Sequence, residues 1–169
     1  QTASVLDDAF VRLGGHCAVE AKLDGVRIQV HRDGHQVRVF TRTLDDITDR
    51  VPDIVEVIRS LPVSRFVGDG EAIALRPDGR PQPFAVTSSR LGTRRASGAP
   101  AVALTPVLFD VLHLDGTDLL DEPATVRLAA LDRIVPEANR VRRLIGDDVA
   151  AAGRFLTDIL AAGHEGVVA

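Results

Sequence analysis

The sequence predicts an α+β fold in which antiparallel β-sheets carry flanking helices. Two turn signals, Asp33-Gly34 and Asp115-Gly116, separate runs of alternating apolar and polar residues, as β-hairpins require. Apolar residues at helical spacing recur between these runs, so helices and strands are interspersed along the chain. With 169 residues, 45% of them hydrophobic, the chain can bury one substantial core, and we expect a single domain over residues 1–169.

The first segments alternate between helix and strand patterns. Residues 3–13 carry apolar residues at helical spacing, and Gly14-Gly15 ends them. Residues 19–23 alternate as a half-buried strand, Asp24-Gly25 indicates a turn, and residues 26–32 resume the alternation. We therefore predict that the first two strands form a strand–turn–strand unit.

The later segments continue this mixture. Residues 26–32 and 36–41 flank Asp33-Gly34 and are predicted to pair as a hairpin. Pro52 suits the first turn of a helix, since its fixed φ angle is compatible with that position. The remaining predicted helices cover 48–60, 83–91, 125–134 and 147–162. The remaining predicted strands cover 66–75, 102–114, 140–145 and 166–168. Residues 92–100 are predicted to form a polar, basic loop.

Composition excludes several classes of protein. The net charge of −4 is mildly acidic, so a DNA-binding surface would have to be local. Cys17 is the sole cysteine, which rules out an internal disulfide and fits a reducing compartment. The five histidines lack the spacing of a zinc site, and no apolar run approaches the ~20 residues of a membrane span. Glycine-rich Rossmann and P-loop fingerprints are absent from the sequence.

Lys22 is the only lysine among the 20 lysine and arginine residues of the chain. Arginine is effectively always protonated, whereas a lysine that is desolvated or close to other cations can lose its proton and act as a nucleophile. A single lysine can also survive by chance in an arginine-rich sequence. Its neighbours favour a chemical role, because Glu20 lies on the same strand face, Gly25 allows close approach of a ligand, and Arg27 can hold an anionic group.

The spacing Lys22-x-Asp24-Gly25-x-Arg27 resembles the nucleotidyl-lysine motif of the covalent nucleotidyltransferases, which include DNA ligases, RNA ligases and mRNA-capping guanylyltransferases. Four fixed residues arise by chance in such a chain on the order of once in a thousand. Arg42 after the hairpin, with the segment up to Ile58, is similar to the next element of DNA ligases. This resemblance implies a fold like that of the ATP-grasp nucleotidyltransferases, with the nucleotide in a groove between sheets.

Two further segments extend the resemblance. Glu71, in Asp69-Gly70-Glu71, is similar to the third motif of the family, although Asp-Gly-Glu by itself is more often a structural turn. Phe109 is similar to the aromatic residue that stacks on the purine, although a phenylalanine among valines and leucines is as often plain core. Residues 165–168 match the fourth motif, but the lysine expected after it is not present in this sequence.

The resemblance implies that the amine of Lys22 attacks the α-phosphate of ATP, with Mg²⁺ as a second cofactor. It also implies that Glu20 accepts a hydrogen bond from the adenine amino group. The implied residues are Lys22 as the nucleophile; Glu20, Arg27, Arg42, Glu71, Phe109 and Val168 as nucleotide contacts; and Glu71 and Glu165 as metal ligands.

An adenylation domain of an ATP-dependent DNA ligase is the interpretation we favour, with nick sealing in replication, repair and recombination as its role. We expect residues 1–169 to be such a domain truncated at its carboxyl end, without the oligonucleotide-binding-fold domain that follows in the family. Nicked duplex DNA, contacted through Arg42, Arg94 and Arg95, is the expected partner of a monomeric, cytoplasmic, nucleoid-associated protein of bacterial type. Alternatives are a capping guanylyltransferase, an RNA ligase, an NAD-dependent ligase and a non-catalytic nucleotide- or DNA-binding module.

Overall fold

The computed structural model describes residues 6–92 and 102–169. It divides into two compact units: a first made of Gln1–Asp24 and Val141–Ala169, and a second made of Gly25–Arg140. Antiparallel sheets with helices make up both units, as the sequence predicts. Within the described residues, none of the helices is both long enough and apolar enough to cross a membrane.

The first unit is built on a three-stranded antiparallel sheet with the order β7-β1-β8. Its strands are β1 (Cys17–Ala21), β7 (Arg143–Gly146) and β8 (Val167–Val168). Two helices, α1 (Leu6–Arg12) and α5 (Val149–Ala161), contribute Phe10 and Ala152 to a small core with Val19 of β1. Because side chains alternate across a strand, Glu20 points to the face opposite Val19.

The second unit is built on a five-stranded sheet with the order β3-β2-β4-β5-β6 and antiparallel pairing throughout. The strands are β2 (Val26–Asp33), β3 (Gln36–Thr41), β4 (Arg65–Ala74), β5 (Leu104–Leu114) and β6 (Thr117–Asp118). The helices are α2 (Pro52–Ser60), α3 (Phe84–Gly92) and α4 (Ala124–Ile134), and two 3-10 turns cover Thr48–Arg50 and Glu137–Asn139.

The helices of the second unit cover one face of its sheet. One hydrophobic cluster fills the space between them. Ile28 and Phe66 of the sheet, Ile54 of α2 and Leu131 of α4 are fully buried in it. Arg27 and its neighbours on the alternate positions of β2 therefore lie on the other face of the sheet. That face carries polar and charged side chains, together with the apolar side chains of Ile73, Val107 and Phe109.

The prediction that β1 and β2 form a hairpin is wrong. Both edges of β1 are taken by β7 and β8, and both edges of β2 are taken by β3 and β4. Gly25 does not adopt the left-handed backbone that a tight turn uses; instead a Cβ at this position would collide with the carbonyl oxygen of Ala72. The Asp24-Gly25 signal thus marks the passage from one sheet to another.

The other predicted elements are confirmed, with shifted ends. The helix predicted over 48–60 is a 3-10 turn followed by α2, which begins at Pro52. The Asp33-Gly34 hairpin is present, with Gly34 at a φ angle of 57°. Residues 3–5 of the first predicted helix and residues 93–100 of the predicted polar loop, including Arg94 and Arg95, lie outside the described residues.

Candidate active site

Lys22 follows directly after the central strand of the first unit. Its backbone N–H donates to the carbonyl of Gly166 at 2.8 Å, which fixes the end of β1 beside the segment leading into β8. Its Nζ lies 2.6 Å from Oε2 of Glu165, and the two side chains are 54% and 47% exposed. The amine is therefore anchored at its base and accessible at its tip.

The charge state of Lys22 is set by the acidic neighbours. The hydrogen bond and the charge of Glu165, together with a smaller effect of Asp24, raise the pKa of Lys22 above its ordinary 10.5. Without a bound nucleotide, the amine is thus held as an ammonium ion. A nucleophilic role requires that this ion pair separates first.

Glu20 lies in a row of three side chains across the sheet of the first unit. Its Cα partners are Arg143 on β7 and Val168 on β8, so the three side chains share one face. Nε of Arg143 donates to Oε1 of Glu20 at 2.6 Å. Val168 is 46% exposed and offers an apolar surface beside the carboxylate.

Arg27 and Phe109 lie together on the face of the second sheet opposite its main core. Nη2 of Arg27 donates to Oδ2 of Asp69 at 2.8 Å, and the guanidinium carbon lies 5.6 Å from the centre of the Phe109 ring. The hydrogen bond to Asp69, followed by smaller effects of Glu71 and Asp110, raises the pKa of Arg27. Phe109 is half-buried and not a fully buried core residue, and its ring makes a cation–π contact with the guanidinium of Arg27.

Glu71 belongs to the interior of a strand and not to a turn. It lies directly opposite Arg27 in the pairing of β4 with β2, and opposite Val107 in the pairing of β4 with β5. The alternation along β4 places it on the same face as Asp69. Gly25 packs against this point, because a Cβ built on it would lie 2.8 Å from Cγ of Glu71.

Arg42 is exposed just after β3 and lines a small cavity of about 210 Å³ together with Arg27, Gln29 and Asp69. Two guanidinium groups at one cavity suit an anionic group such as a phosphate. This cavity belongs entirely to the second unit.

The predicted metal ligands are single carboxylates and not a cluster. Among residues 6–92 and 102–169, no group of three or more histidine, cysteine, aspartate or glutamate side chains is arranged to hold an ion. Mg²⁺ is usually bound by one or two carboxylates together with substrate phosphates and water, so Glu71 and Glu165 fit its donor preference. Glu165 is about half exposed, so its carboxylate is accessible from solvent.

The structure brings the predicted residues together in two groups. Lys22, Glu20, Val168 and Glu165 belong to the first unit; Arg27, Arg42, Glu71 and Phe109 belong to the second. Their convergence on one nucleotide stays a prediction.

The sequence pattern did not single out Arg143 or Asp69. Asp69 could have been found because it stands two residues before Glu71 in a strand pattern, which places both on one face. Arg143 carried no such signal, since 123 residues separate it from Glu20.

Comparison with known proteins finds DNA ligases. The family model for the ATP-dependent DNA ligase domain matches residues 1–169. A probable DNA ligase of Mycobacterium sp. (strain KMS) is 56% identical over 169 residues, which is 100% of this chain and 32% of that protein. DNA ligase B of Mycobacterium tuberculosis (strain ATCC 25618 / H37Rv) is 56% identical over 172 residues, covering 100% of this chain and 34% of that protein. The chain spans about a third of the length of these relatives.

Solved structures of ligases share the fold. A mycobacterial DNA ligase D complexed with ATP and MES superposes with a TM-score of 0.68 at 26% identity, covering 90% of this chain and 47% of that one. The ATP-dependent DNA ligase of bacteriophage T7, in complex with ATP, gives a TM-score of 0.53 at 18% identity, covering 99% of this chain and 60% of that one. The second likeness concerns the fold alone.

Proposed function

Because the chain belongs to the ATP-dependent DNA ligase domain family, we propose that it is the adenylation domain of a DNA ligase. The domain forms a lysyl-AMP intermediate that is used to seal nicks in DNA during replication, repair and recombination. The observation that carries this proposal is the position of Lys22, the sole lysine, anchored at a strand end with its amine 2.6 Å from Glu165.

The reaction that Lys22 performs is a nucleophilic substitution at phosphorus. The neutral amine attacks the α-phosphorus of ATP, a bond forms between Nζ and phosphorus, and the bond to the bridging oxygen breaks. Pyrophosphate leaves with the electron pair of that bond, and the attacking nitrogen loses one proton to solvent. The product is a phosphoramidate of AMP. An oxygen of the 5′-phosphate of the nick then attacks the same phosphorus, the bond to Nζ breaks, and Nζ takes up a proton, so AMP passes to the DNA and Lys22 regains its amine.

Separation of Lys22 from Glu165 prepares this step. In the ion pair the amine is protonated and has no lone pair to donate. Binding of a divalent cation by Glu165 would weaken its hold on the ammonium and would lower the pKa of Lys22. Glu165 thus stores the nucleophile in its inactive form until the nucleotide arrives.

The remaining residues hold the nucleotide. Glu20 accepts from the adenine amino group, and Phe109 and Val168 cover the faces of the base. Arg27 and Arg42 bind phosphate oxygens, which the cavity they share supports. Glu71 binds a ribose hydroxyl or a metal ion.

Glu71 and Glu165 would hold the second proposed cofactor, Mg²⁺, through carboxylate oxygens. Bound there, it would neutralise charge on the phosphates. The proposal extends to nicked duplex DNA as the partner of the whole protein. The monomeric state and the cytoplasmic, nucleoid-associated location stay predictions.

Incubation with α-labelled ATP and magnesium tests the proposal. A covalent AMP adduct should form on the wild-type chain, and peptide mapping should place it on Lys22. Lys22→Arg keeps the positive charge but removes the titratable amine, so the adduct should vanish while the circular dichroism spectrum is unchanged. An adduct that persists in Lys22→Arg, or one formed with GTP in preference to ATP, contradicts the assignment.

A further inference from the structure

We propose that Arg143 is a positioning residue for base selectivity: it holds the Glu20 carboxylate so that one oxygen stays available to the amino group of adenine. The inference rests on the proposed function, in which Glu20 contacts the base. It adds a residue that lies 123 positions away in the sequence and that the motifs do not contain.

The geometry of the first sheet carries the proposal. Arg143 is the direct cross-strand neighbour of Glu20, and Val168 is the neighbour on the other side. Side chains opposite one another in adjacent strands share a face, so the three form one row. Arg143 therefore reaches Glu20 along the sheet surface, at the side away from Val168.

The contact is short and shielded from water. Nε of Arg143 lies 2.6 Å from Oε1 of Glu20, and the two side chains are only 8% and 21% exposed. A guanidinium in such a place cannot readily leave its carboxylate, since Glu20 would then keep a largely buried charge without this partner. The position of the Glu20 carboxylate is thus fixed by the fold before any ligand binds.

A fixed carboxylate discriminates between the two purines. Ionised Glu20 can only accept hydrogen bonds, and Oε1 is engaged by Arg143, which assigns Oε2 to the base. The 6-amino group of adenine donates to such an oxygen, whereas the 6-oxo group of guanine would place two acceptors against each other. Discrimination fails if the carboxylate can turn away, and Arg143 prevents that rotation.

The variant Arg143→Gln removes the charge and the Nε donor. We expect it to lower the preference for ATP over GTP, measured as the ratio of dissociation constants in a competition assay, by about tenfold. Arg142→Gln is the matched control, because it makes the same change one residue earlier, where the guanidinium lies 5.9 Å from the Phe155 ring. The control should leave the ratio unchanged.

Two further variants separate positioning from mere stability. Arg143→Lys keeps the charge and should fold even if Arg143→Gln does not, yet it lacks the Nε donor and should still reduce the ratio. In a Glu20→Gln background, adding Arg143→Gln should change the ratio no further, because the proposed effect of Arg143 on the base passes through Glu20.

The outcomes distinguish the inference from the function on which it rests. If Arg143→Gln and Arg143→Lys weaken ATP and GTP equally, Arg143 is merely structural and the inference is wrong, while the role of Glu20 stands. If Glu20→Gln itself leaves the ratio unchanged, the base contact is wrong and the inference falls with it. Adduct formation on Lys22 is measured separately and is not at stake in either result.

Discussion

A single carboxylate at Glu165 serves two opposed purposes in the first unit. It stabilises the ammonium form of Lys22, which protects the amine, and it is a proposed ligand for the ion that accompanies ATP. Both groups are about half exposed, so solvent screens their attraction and the pair can open at modest cost. The pair therefore acts as a reversible restraint on the proposed nucleophile.

The restraint predicts how Lys22 titrates. Because the folded-state pKa lies above 10.5, the stability that the pair contributes is lost as the pH rises through that raised value. Glu165→Gln removes the largest cause and should lower the pKa of Lys22, whereas Asp24→Asn removes the smallest and should lower it less.

A chain with one lysine allows a direct measurement of this pKa. Selective ¹³C or ¹⁵N labelling of lysine gives one side-chain signal, whose titration reports the pKa of Lys22 without assignment. Equal midpoints in the wild type and in Glu165→Gln would show that the ion pair does not govern the amine in solution.

The sequence could reveal the residues of the site that stand in short motifs. Lys22 and Glu165 each follow from a local pattern, and the structure pairs them within one unit. Arg143 could not be found in this way. Its role depends on which residue of β1 it faces, and strand register is not encoded in either segment alone.

At the level of elements, Gly25 decides how the chain enters the second sheet. Its Cα lies against β4, where the carbonyl of Ala72 and the side chain of Ile73 leave no space for a Cβ. The sequence predicts that a glycine is needed here for a turn, whereas the structure shows that it is needed for close packing against β4. A turn was expected because Asp-Gly favours one locally, yet pairing with distant strands determined the path of the backbone.

Replacing Gly25 by alanine tests this reason. The added methyl group meets backbone atoms that cannot move aside, so we expect Gly25→Ala to destabilise the chain by about 1–3 kcal/mol in urea denaturation. Gly153→Ala is the control, because this glycine lies in α5 with nothing within 4 Å of its added Cβ. Alanine there should stabilise by roughly 0.5–1 kcal/mol. Equal effects of the two changes would rule out the proposed close packing.

The segment Asp69-Gly70-Glu71 is a second place where a local turn signal does not predict the structure. Taken alone, it favours a turn, but it lies in the middle of the ten-residue strand β4. A larger residue would not fit in place of Gly70, because a Cβ there would lie 2.7 Å from the carbonyl oxygen of Val107 on the neighbouring strand. Packing between strands, which no short window contains, explains the glycine.

For the whole molecule, electrostatics limits how the chain can bind DNA. The net charge of −4 opposes approach to a polyanion, so any affinity must come from local arginines. Arg42 is exposed beside a cavity shared with Arg27, so two guanidinium groups are placed to meet a backbone phosphate there. The sequence predicts Arg42 as a site residue from its position after the hairpin, and this assignment stays a prediction.

We therefore expect this chain to bind a nicked duplex weakly, with an affinity that falls steeply as salt rises. Arg42→Ala should weaken binding at low salt and reduce the slope of log K against log salt by about 1, as the loss of one phosphate contact does. Arg154→Ala is the matched control. This arginine is 71% exposed on α5 in the first unit, and its replacement changes the net charge by the same amount as Arg42→Ala does. If both variants lower affinity alike, binding depends on net charge rather than on a contact at Arg42. Tight binding at physiological salt that survives Arg42→Ala would place the DNA surface elsewhere.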